Sequence, residues 1–181
     1  MKIALDLDMT LNDMGYTWMK WLRKNIDPTI TLSNVRYHGF IRDAYGKEAD
    51  RYWKDPAAYD EIRPLDGAVY FVEQLKLSHE VFILTHTPEG QKSEVKEAWI
   101  KSWFGDMRVV HSDKKHLHTD DCLLIDDHPG HIQRHVRHND TGHGIVFNHN
   151  GRYGWAFPLT TQPRVDMCCS YEQVIGVINK L

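Results

Sequence analysis

The chain begins with a short apolar segment that carries two aspartates at its end, and this feature limits its fold more than any other. Residues 3–7 are apolar except for Asp6, and Asp8 follows them directly. Such a run is typical of a strand that is buried on both faces of a parallel sheet. Because successive side chains on a strand point to opposite faces, Asp6 and Asp8 share one side. Buried charges need a partner or a metal, so the end of this strand is a candidate site.

Four further apolar runs have the length of core strands, and helix-like patterns lie between them. The five predicted strands are residues 3–7, 81–84, 108–110, 122–125 and 144–147. Apolar residues recur at helical spacing in residues 65–75, 95–103 and 171–181. Strands that alternate with helices predict a doubly wound, Rossmann-like α/β fold with a mostly parallel sheet.

Residues 13–63 show no strand pattern but many aromatic side chains. We interpret this segment as a small helical cap inserted after the first strand, with residues 1–12 and 64–181 forming the α/β core. Ligands bind at the carboxyl ends of the strands in open α/β sheets, so a cap at this position would overhang the site. Most of its rings are expected to form its own core. Trp18 and Trp53 are candidates for stacking on a flat ligand, which contributes about 1–3 kcal/mol per base.

Charge and composition argue against several classes of partner. The 22 basic and 25 acidic residues give a net charge of -3, so we expect no stable nucleic-acid complex. No apolar run approaches the ~18 residues of a membrane span, and the early first strand leaves no room for a signal peptide. Three cysteines are an odd number for a disulfide framework. We therefore expect a cytoplasmic protein without membrane association, and both a monomer and a homodimer stay open.

Polar groups also follow three of the other predicted strands. They are Thr85, His86 and Thr87 after the second strand, Lys114 and Lys115 after the third, and Asp126 and Asp127 after the fourth. In a doubly wound sheet these ends converge on Asp6 and Asp8. Two carboxylates at ~4 Å repel by about 4 kcal/mol at an effective dielectric of 20, and Mg²⁺ with oxygen ligands removes that conflict. A metal, a lysine and a hydroxyl together suit a phosphoryl group, with one aspartate as nucleophile and another as general acid.

The order of these groups resembles the four motifs of the haloacid-dehalogenase-like (HAD) phosphatases. The matching elements are Asp6-Leu7-Asp8-Met9-Thr10-Leu11, Thr85, a lysine near position 114 and Asp126-Asp127. Within that superfamily the chain is most similar to the 5'(3')-deoxyribonucleotidases, on residues 64–68, 82–85, 96–105, 112–114 and 123–127. The resemblance implies a Mg²⁺-dependent phosphatase for nucleoside monophosphates, deoxyribonucleotides in particular, that works through an aspartyl-phosphate.

The resemblance also implies a role for each matched residue. Asp6 is the nucleophile and a metal ligand, and Asp8 is the general acid/base that contacts the metal through its backbone carbonyl. Thr85 binds the phosphoryl oxygens and Lys114 neutralises them. Of the acidic pair, Asp127 is favoured for direct metal contact and Asp126 for orientation, although the order stays open. The candidate substrate-binding residues are Thr10, His86, Thr87, Lys115, His128, Trp18 and Trp53.

The chain departs from the family pattern at several positions. Met9 stands where many members have Gly, which indicates that only a tight turn is needed there. Ser112 and His128 stand where members often have Arg. The segment between Lys114 and Asp126 is longer than in the similar sequences, so Lys115 is an alternative to Lys114. The phosphate and base contacts, and therefore the substrate, stay open.

Other functions stay open as well. A HAD phosphatase that acts on a sugar phosphate or on the 3'-phosphate of a nucleic acid would use the same reaction with another substrate. A nucleic-acid substrate would require a basic groove. A non-catalytic phosphate-binding module would use the same fold without turnover. A third alternative is a transition-metal binder, since four histidines fall on one face of a predicted helix at a spacing that can bind Zn²⁺. We favour a solvated helix face for these residues, which are His128, His131, His135 and His138.

Overall fold

A computed structural model describes residues 1–37, 39–55, 57–88, 91–159 and 162–181 of the chain. The strands are β1 (Lys2–Leu5), β2 (Glu80–Thr85), β3 (Val109–His111), β4 (Cys122–Asp126), β5 (His143–Phe147) and β6 (Val165–Cys168). The helices are α1 (Met14–Asn25), α2 (Phe40–Tyr45), α3 (Arg51–Lys54), α4 (Ala58–Glu61), α5 (Ala68–Lys76), α6 (Ser93–Phe104), α7 (Pro129–His138) and α8 (Tyr171–Ile178). Among the described residues, no helix is both long enough and apolar enough to cross a bilayer.

The strands form one sheet in the order β3-β2-β1-β4-β5-β6, and every pairing is parallel. Alternate side chains of β1 enter two different cores. Ile3 and Leu5 pack with residues of α5, α6 and α8, whereas Ala4 packs with residues of α1 and α7. Helices therefore cover both faces, which confirms the predicted doubly wound α/β fold. The strand order reverses between β1 and β4, and ligands bind outside the carboxyl ends of the strands at such a point.

The sheet contains one strand that the sequence pattern did not predict. β6 lies at the edge of the sheet and pairs only with β5. Its side chains are mostly half-buried, and the polar Asp166 interrupts its apolar residues. The His143 Nε2 atom lies 2.7 Å from the Asp166 Oδ2 atom. An edge strand of this kind lacks the continuous apolar run by which the five other strands were recognised.

The segment between β1 and α5 is helical in its described part, where it contains α1 to α4 and no strand. The chain enters and leaves this segment at neighbouring positions. The Asp13 N–H donates to the Arg63 carbonyl at 2.9 Å, and the Leu65 N–H donates to the Leu11 carbonyl at 3.0 Å. These two backbone hydrogen bonds join the start of the insertion to its end. That residues 13–63 form a separate domain stays a prediction.

The prediction that the four histidines form a solvated face of α7 is wrong for His135. His135 is completely buried, together with Ile132 and Val136 on the same side of the helix. Its Nδ1 atom lies 2.8 Å from the Thr119 Oγ1 atom, and its Nε2 atom lies 3.1 Å from the His143 carbonyl. The short helix lies against β4 and β5, so its inner turn cannot reach solvent.

His135 should make the stability of the protein depend on pH. Burial lowers the pKa of its imidazole below the ordinary histidine value of about 6.5, so the folded protein binds a proton there less readily than the unfolded chain. This contribution to stability is complete above about pH 6.5 and is lost as the pH falls through the lower folded pKa. We expect the decrease in Tm between about pH 7.5 and about pH 5.5 to be smaller in His135→Gln than in the unmodified protein.

The matched control is His138→Gln, on the exposed side of the same helix. This variant should show the same decrease in Tm as the unmodified protein. If His135→Gln also shows the full decrease, the pH dependence arises at other groups.

Candidate active site

Three carboxylates meet at the carboxyl ends of the two central strands. Asp6 follows β1, Asp126 is the last residue of β4, and Asp127 comes next. The Asp6 N–H donates to the Ile125 carbonyl at 2.9 Å, which continues the pairing of the two strands to the level of the site. One carboxylate oxygen from each of the three aspartates lies within 4.8 Å of the other two, and all three side chains are buried. The predicted convergence of Asp6 with the acidic pair is therefore present.

A buried lysine lies among these carboxylates. The Lys115 Nζ atom is 2.6 Å from the Asp6 Oδ1 atom and 2.7 Å from the Asp126 Oδ2 atom. Lys115 begins a 3₁₀ turn, Lys115–His118, that follows β3. Its neighbour Lys114 is exposed and does not line the cleft above the carboxylates. Of the two lysines, the structure therefore places Lys115 at the site rather than Lys114.

The charges of this cluster are not balanced. Burial raises the pKa of Asp6 to about 6, against the effect of Lys115. Burial and the charges of Asp126 and Asp6 also raise the pKa of Asp127 well above its ordinary value. Burial acts in the same direction at Asp126, but Lys115 and His131 outweigh it and hold that pKa well below the usual range. One ammonium group thus does not neutralise three buried carboxylates, and a further cation would remove the conflict.

The free oxygen atoms of the cluster suit a small divalent cation. Both Asp126 oxygens are already occupied, Oδ1 by the His128 N–H at 2.9 Å and Oδ2 by Lys115 and by the His131 Nδ1 atom at 2.9 Å. At Asp127, the Oδ2 atom accepts a hydrogen bond from the Trp155 Nε1 atom at 2.7 Å. Carboxylate oxygens are the ligands that Mg²⁺ prefers. The donor set therefore fits a magnesium ion.

The second aspartate of the first motif, Asp8, is held away from this cluster. Its Oδ2 atom contacts the Lys96 ammonium group, and its Oδ1 atom accepts from Asn12 Nδ2 at 3.0 Å and from the Tyr59 hydroxyl at 3.3 Å. Burial and the Asp8 charge raise the pKa of Tyr59 well above its ordinary value, so the phenol stays protonated and donates. The Asp8 side chain is not a member of the metal-capable group, in contrast to Asp6.

Lys96 is a site residue that the motifs did not reveal. It lies on α6 and is completely buried, with its Nζ atom 3.2 Å from the Thr85 Oγ1 atom and in contact with the His86 carbonyl. The signal was present in the sequence, since position 96 falls on the same buried stripe as Trp99 and Ile100. A lysine on an apolar stripe needs a buried partner, and here that partner is the Asp8 carboxylate.

A cleft of about 340 Å³ lies between the inserted helices and the carboxylate cluster. Trp18 and Trp53 line it from the insertion, with their ring centroids 4.7 Å apart. The other predicted substrate-binding residues that line it are His86, Lys115 and His128. Apolar side chains dominate the side of the insertion, and the carboxylates and Lys115 form the floor. This arrangement suits a flat apolar group that is attached to an anion.

Three predicted contact residues lie outside the cleft. Thr10 is completely buried, and its carbonyl accepts from the Tyr171 hydroxyl at 2.8 Å. The Thr87 Oγ1 atom lies 2.7 Å from the His111 Nδ1 atom, on the side of β3. Thr85 is also completely buried beneath Lys96. The structure therefore does not bring these three hydroxyl groups to the surface of the cleft.

The turn after β1 is tight and is held from a distant loop. Met9 has a φ of 64°, in the left-handed region, which costs about 1–2 kcal/mol for a residue other than glycine. Its carbonyl accepts from the Tyr153 hydroxyl at 2.8 Å, and the Tyr153 and Trp155 rings are stacked with centroids 4.8 Å apart. The loop after β5 thus supports both the Asp8 turn and Asp127, and no sequence motif indicated that role.

The fold defines the class of protein to which this chain is similar. A haloacid dehalogenase-like family hydrolase from Streptococcus pneumoniae superposes with a TM-score of 0.68 at 14% identity, over 98% of this chain and 97% of that one. A HAD family hydrolase from Deinococcus radiodurans, with bound phosphate and sodium, superposes with a TM-score of 0.67 at 11% identity, over 99% and 95% of the two chains. The chain has the HAD-like fold.

The sequence identifies the family within that class. The family model "5' nucleotidase, deoxy (Pyrimidine), cytosolic type C protein" matches residues 1–175, and the chain belongs to this family. The human mitochondrial 5'(3')-deoxyribonucleotidase is 28% identical in an alignment of 145 positions that covers 71% of this chain and 63% of the relative. The chain thus spans less than two thirds of that relative's length. The resemblance to deoxyribonucleotidases is confirmed.

Proposed function

We propose that this protein is a phosphoric monoester hydrolase whose substrates are nucleoside monophosphates, deoxyribonucleotides in particular. The observation that carries the proposal is the contact of the buried Lys115 with Asp6 beneath a cleft lined by aromatic rings. The family and the related human deoxyribonucleotidase support a nucleotide as substrate. The phosphate and sodium bound to the Deinococcus hydrolase of the same fold support a site for a phosphoryl group and a cation.

We infer that Mg²⁺ is the cofactor and that Asp6, Asp127 and the backbone carbonyl of Asp8 hold it. Asp126 acts as the orienting residue, because Lys115, His131 and the His128 N–H already occupy its oxygens. When bound, the ion would neutralise the carboxylates and supply positive charge to the phosphoryl oxygens.

Asp6 is the nucleophile of the proposed reaction. One of its carboxylate oxygens attacks phosphorus, so that an O–P bond forms while the bond between phosphorus and the ester oxygen breaks. The Lys115 Nζ atom lies 2.6 Å from the Asp6 Oδ1 atom, which supports a role in neutralising the negative charge of the phosphoryl group during this step. We assign this role to Lys115 rather than to Lys114, because Lys114 is exposed and outside the cleft.

Asp8 is the proposed general acid and base. Lys96, Asn12 and Tyr59 all donate to the Asp8 carboxylate, so it must first take up a proton from water or from the phosphate monoester before it can pass one to the departing ester oxygen. It later takes a proton from the water that releases phosphate from Asp6. Lys96, Asn12 and Tyr59 act as positioning residues, because together they hold both oxygens of the Asp8 carboxylate. Thr85 contributes through Lys96, with 3.2 Å between the Thr85 Oγ1 and Lys96 Nζ atoms.

The rings of the insertion are proposed to bind the base. We expect Trp53→Ala to raise KM for nucleoside monophosphates about 10-fold, because stacking contributes about 1–3 kcal/mol per base. KM for p-nitrophenyl phosphate should change less, since its smaller ring overlaps less with Trp53. The control is Trp103→Ala on α6, where the ring is 40% exposed and does not line the cleft. Equal increases in KM for both substrates would rule out base stacking.

One phosphate-release screen tests the proposed function. The substrates are nucleoside 5'- and 3'-monophosphates, sugar phosphates, 3'-phosphorylated oligonucleotides and p-nitrophenyl phosphate, each with Mg²⁺. We expect the highest kcat/KM for deoxyribonucleoside monophosphates. No release from any of them with any divalent metal would favour the non-catalytic module. The histidine-rich metal site has no support in the described residues, whose one group of three or more metal-capable side chains consists of carboxylates.

A further inference from the structure

A second cleft adjoins the catalytic one on the side away from the insertion. His86, His128 and His131 line both clefts, so the two spaces share a wall. The outer part of the second cleft is lined by Lys114, His116 and Arg134, with Leu117 and a single carboxylate, Asp113. A molecule bound with its phosphoryl group at Asp6 can therefore extend into this cleft, away from Trp18 and Trp53, which line only the first cleft.

Lys114 and Arg134 give the second cleft positive charge that no carboxylate among the described residues pairs with. In the described ranges, neither Lys114 nor Arg134 has a carboxylate oxygen within 4.0 Å. Burial lowers the pKa of His116, and the positive charges of His138, Arg134 and Lys114 lower it further. The His116 Nδ1 atom is shielded from solvent and has no hydrogen-bond partner among the described residues. Two cationic side chains at the wall of an active site, with no close carboxylate in the described part of the chain, indicate an anionic ligand.

We propose that this cleft binds a second phosphate group of the substrate, with Arg134 and Lys114 as its ligands. This inference rests on the proposed function and narrows the substrate class to nucleotides with a phosphate in addition to the one that is hydrolysed. Arg and Lys are the side chains that bind phosphate, and the planar guanidinium group of Arg does so with two parallel hydrogen bonds. The second phosphate is a terminal monoester in a nucleoside bisphosphate and a diester in a short oligonucleotide.

The test measures inhibition of p-nitrophenyl phosphate hydrolysis by three compounds. They are thymidine 5'-monophosphate, thymidine 3',5'-bisphosphate and the 5'-phosphorylated dinucleotide of thymidine. We expect the inhibition constant of the bisphosphate to be about 10-fold below that of the monophosphate, as expected for one charged hydrogen-bonded contact. Arg134→Gln should remove most of this advantage. It should leave the inhibition constant of the monophosphate within about twofold of its original value, because the monophosphate does not reach Arg134.

Arg137→Gln is the matched control, because Arg137 is an exposed arginine on the same helix that does not line the second cleft. This variant should keep the full advantage of the bisphosphate. Equal inhibition constants for the monophosphate and both longer compounds would overturn the proposal, and so would an equal loss in Arg134→Gln and Arg137→Gln. If the bisphosphate and the dinucleotide both bind more tightly than the monophosphate, the second cleft accepts a phosphate diester. If only the bisphosphate does, the cleft binds a phosphate monoester.

The reporter substrate separates failure of this inference from failure of the proposed function. Hydrolysis of p-nitrophenyl phosphate needs the phosphatase chemistry but neither a base nor a second phosphate. If the protein releases phosphate from no compound, the proposed function fails. The same three compounds and variants are then compared by titration calorimetry, and the same difference between Arg134→Gln and Arg137→Gln decides the inference.

Discussion

Replacement of Asp6 by asparagine is expected to abolish phosphate release, with a loss of at least ~10⁴-fold in kcat, as found when a catalytic nucleophile is removed. The amide keeps the size of the side chain but cannot form the O–P bond. The fold should persist, because Asn at this position removes a buried charge instead of adding one. The measurement is a steady-state assay with p-nitrophenyl phosphate and Mg²⁺, with circular dichroism as the check on folding.

The matched control for this variant is Asp106→Asn, whose side chain is 88% exposed in the loop just after α6. This exposed variant should retain the activity of the unmodified protein. Turnover by a folded Asp6→Asn protein at more than a trace level would remove Asp6 as the nucleophile.

Replacement of Lys115 by methionine is the second change with a large expected effect. Loss of the ammonium group beside the phosphoryl oxygens should lower kcat by ~10²–10³-fold, the usual cost of one preorganised charge-stabilising group. Lys114→Met should keep most of the activity toward p-nitrophenyl phosphate, which has no second phosphate. The two variants differ by one position in the chain, so the comparison decides which lysine acts. A larger loss in Lys114→Met than in Lys115→Met would contradict the assignment.

Lys115→Met should also destabilise the protein in the absence of metal. Asp6 and Asp126 would lose the cation that lies 2.6 and 2.7 Å from them, and breaking a buried ion pair costs about 3–5 kcal/mol. Added Mg²⁺ should restore part of the lost Tm, since a cation that binds only the folded state stabilises it. Thermal unfolding with and without Mg²⁺ measures both effects. The same Tm in Lys115→Met and Lys114→Met without metal would show that Lys115 does not offset the carboxylates.

The central part of the fold was predictable because it depends on continuous apolar runs. β1 and β4 are buried on both faces, so their sequences contain few polar residues before the aspartates at their ends. The convergence of Asp6 with Asp126 and Asp127 then follows from the parallel pairing of two neighbouring strands. β6 was not predicted, because an edge strand needs only one apolar face and Asp166 interrupts the apolar residues of this one.

The details of the site depend on contacts that sequence spacing does not encode. Adjacent lysines point in different directions from a 3₁₀ turn, and only the rotation of that turn places Lys115 rather than Lys114 over Asp6. Lys96 comes from a helix that carries no motif, and Trp155 reaches Asp127 from a loop 28 positions later. Tertiary packing decides each of these positions, so a motif supplies the residue types but not the complete set of partners.

The most direct test of the account is a crystal structure of the protein with Mg²⁺ and beryllofluoride, which mimics a phosphoryl group on a carboxylate. We predict beryllium bonded to an Asp6 oxygen, Mg²⁺ in contact with Asp6 and Asp127, and the Lys115 ammonium group beside the fluorides. Beryllofluoride on another residue, or a metal bound away from the three aspartates, would contradict the account.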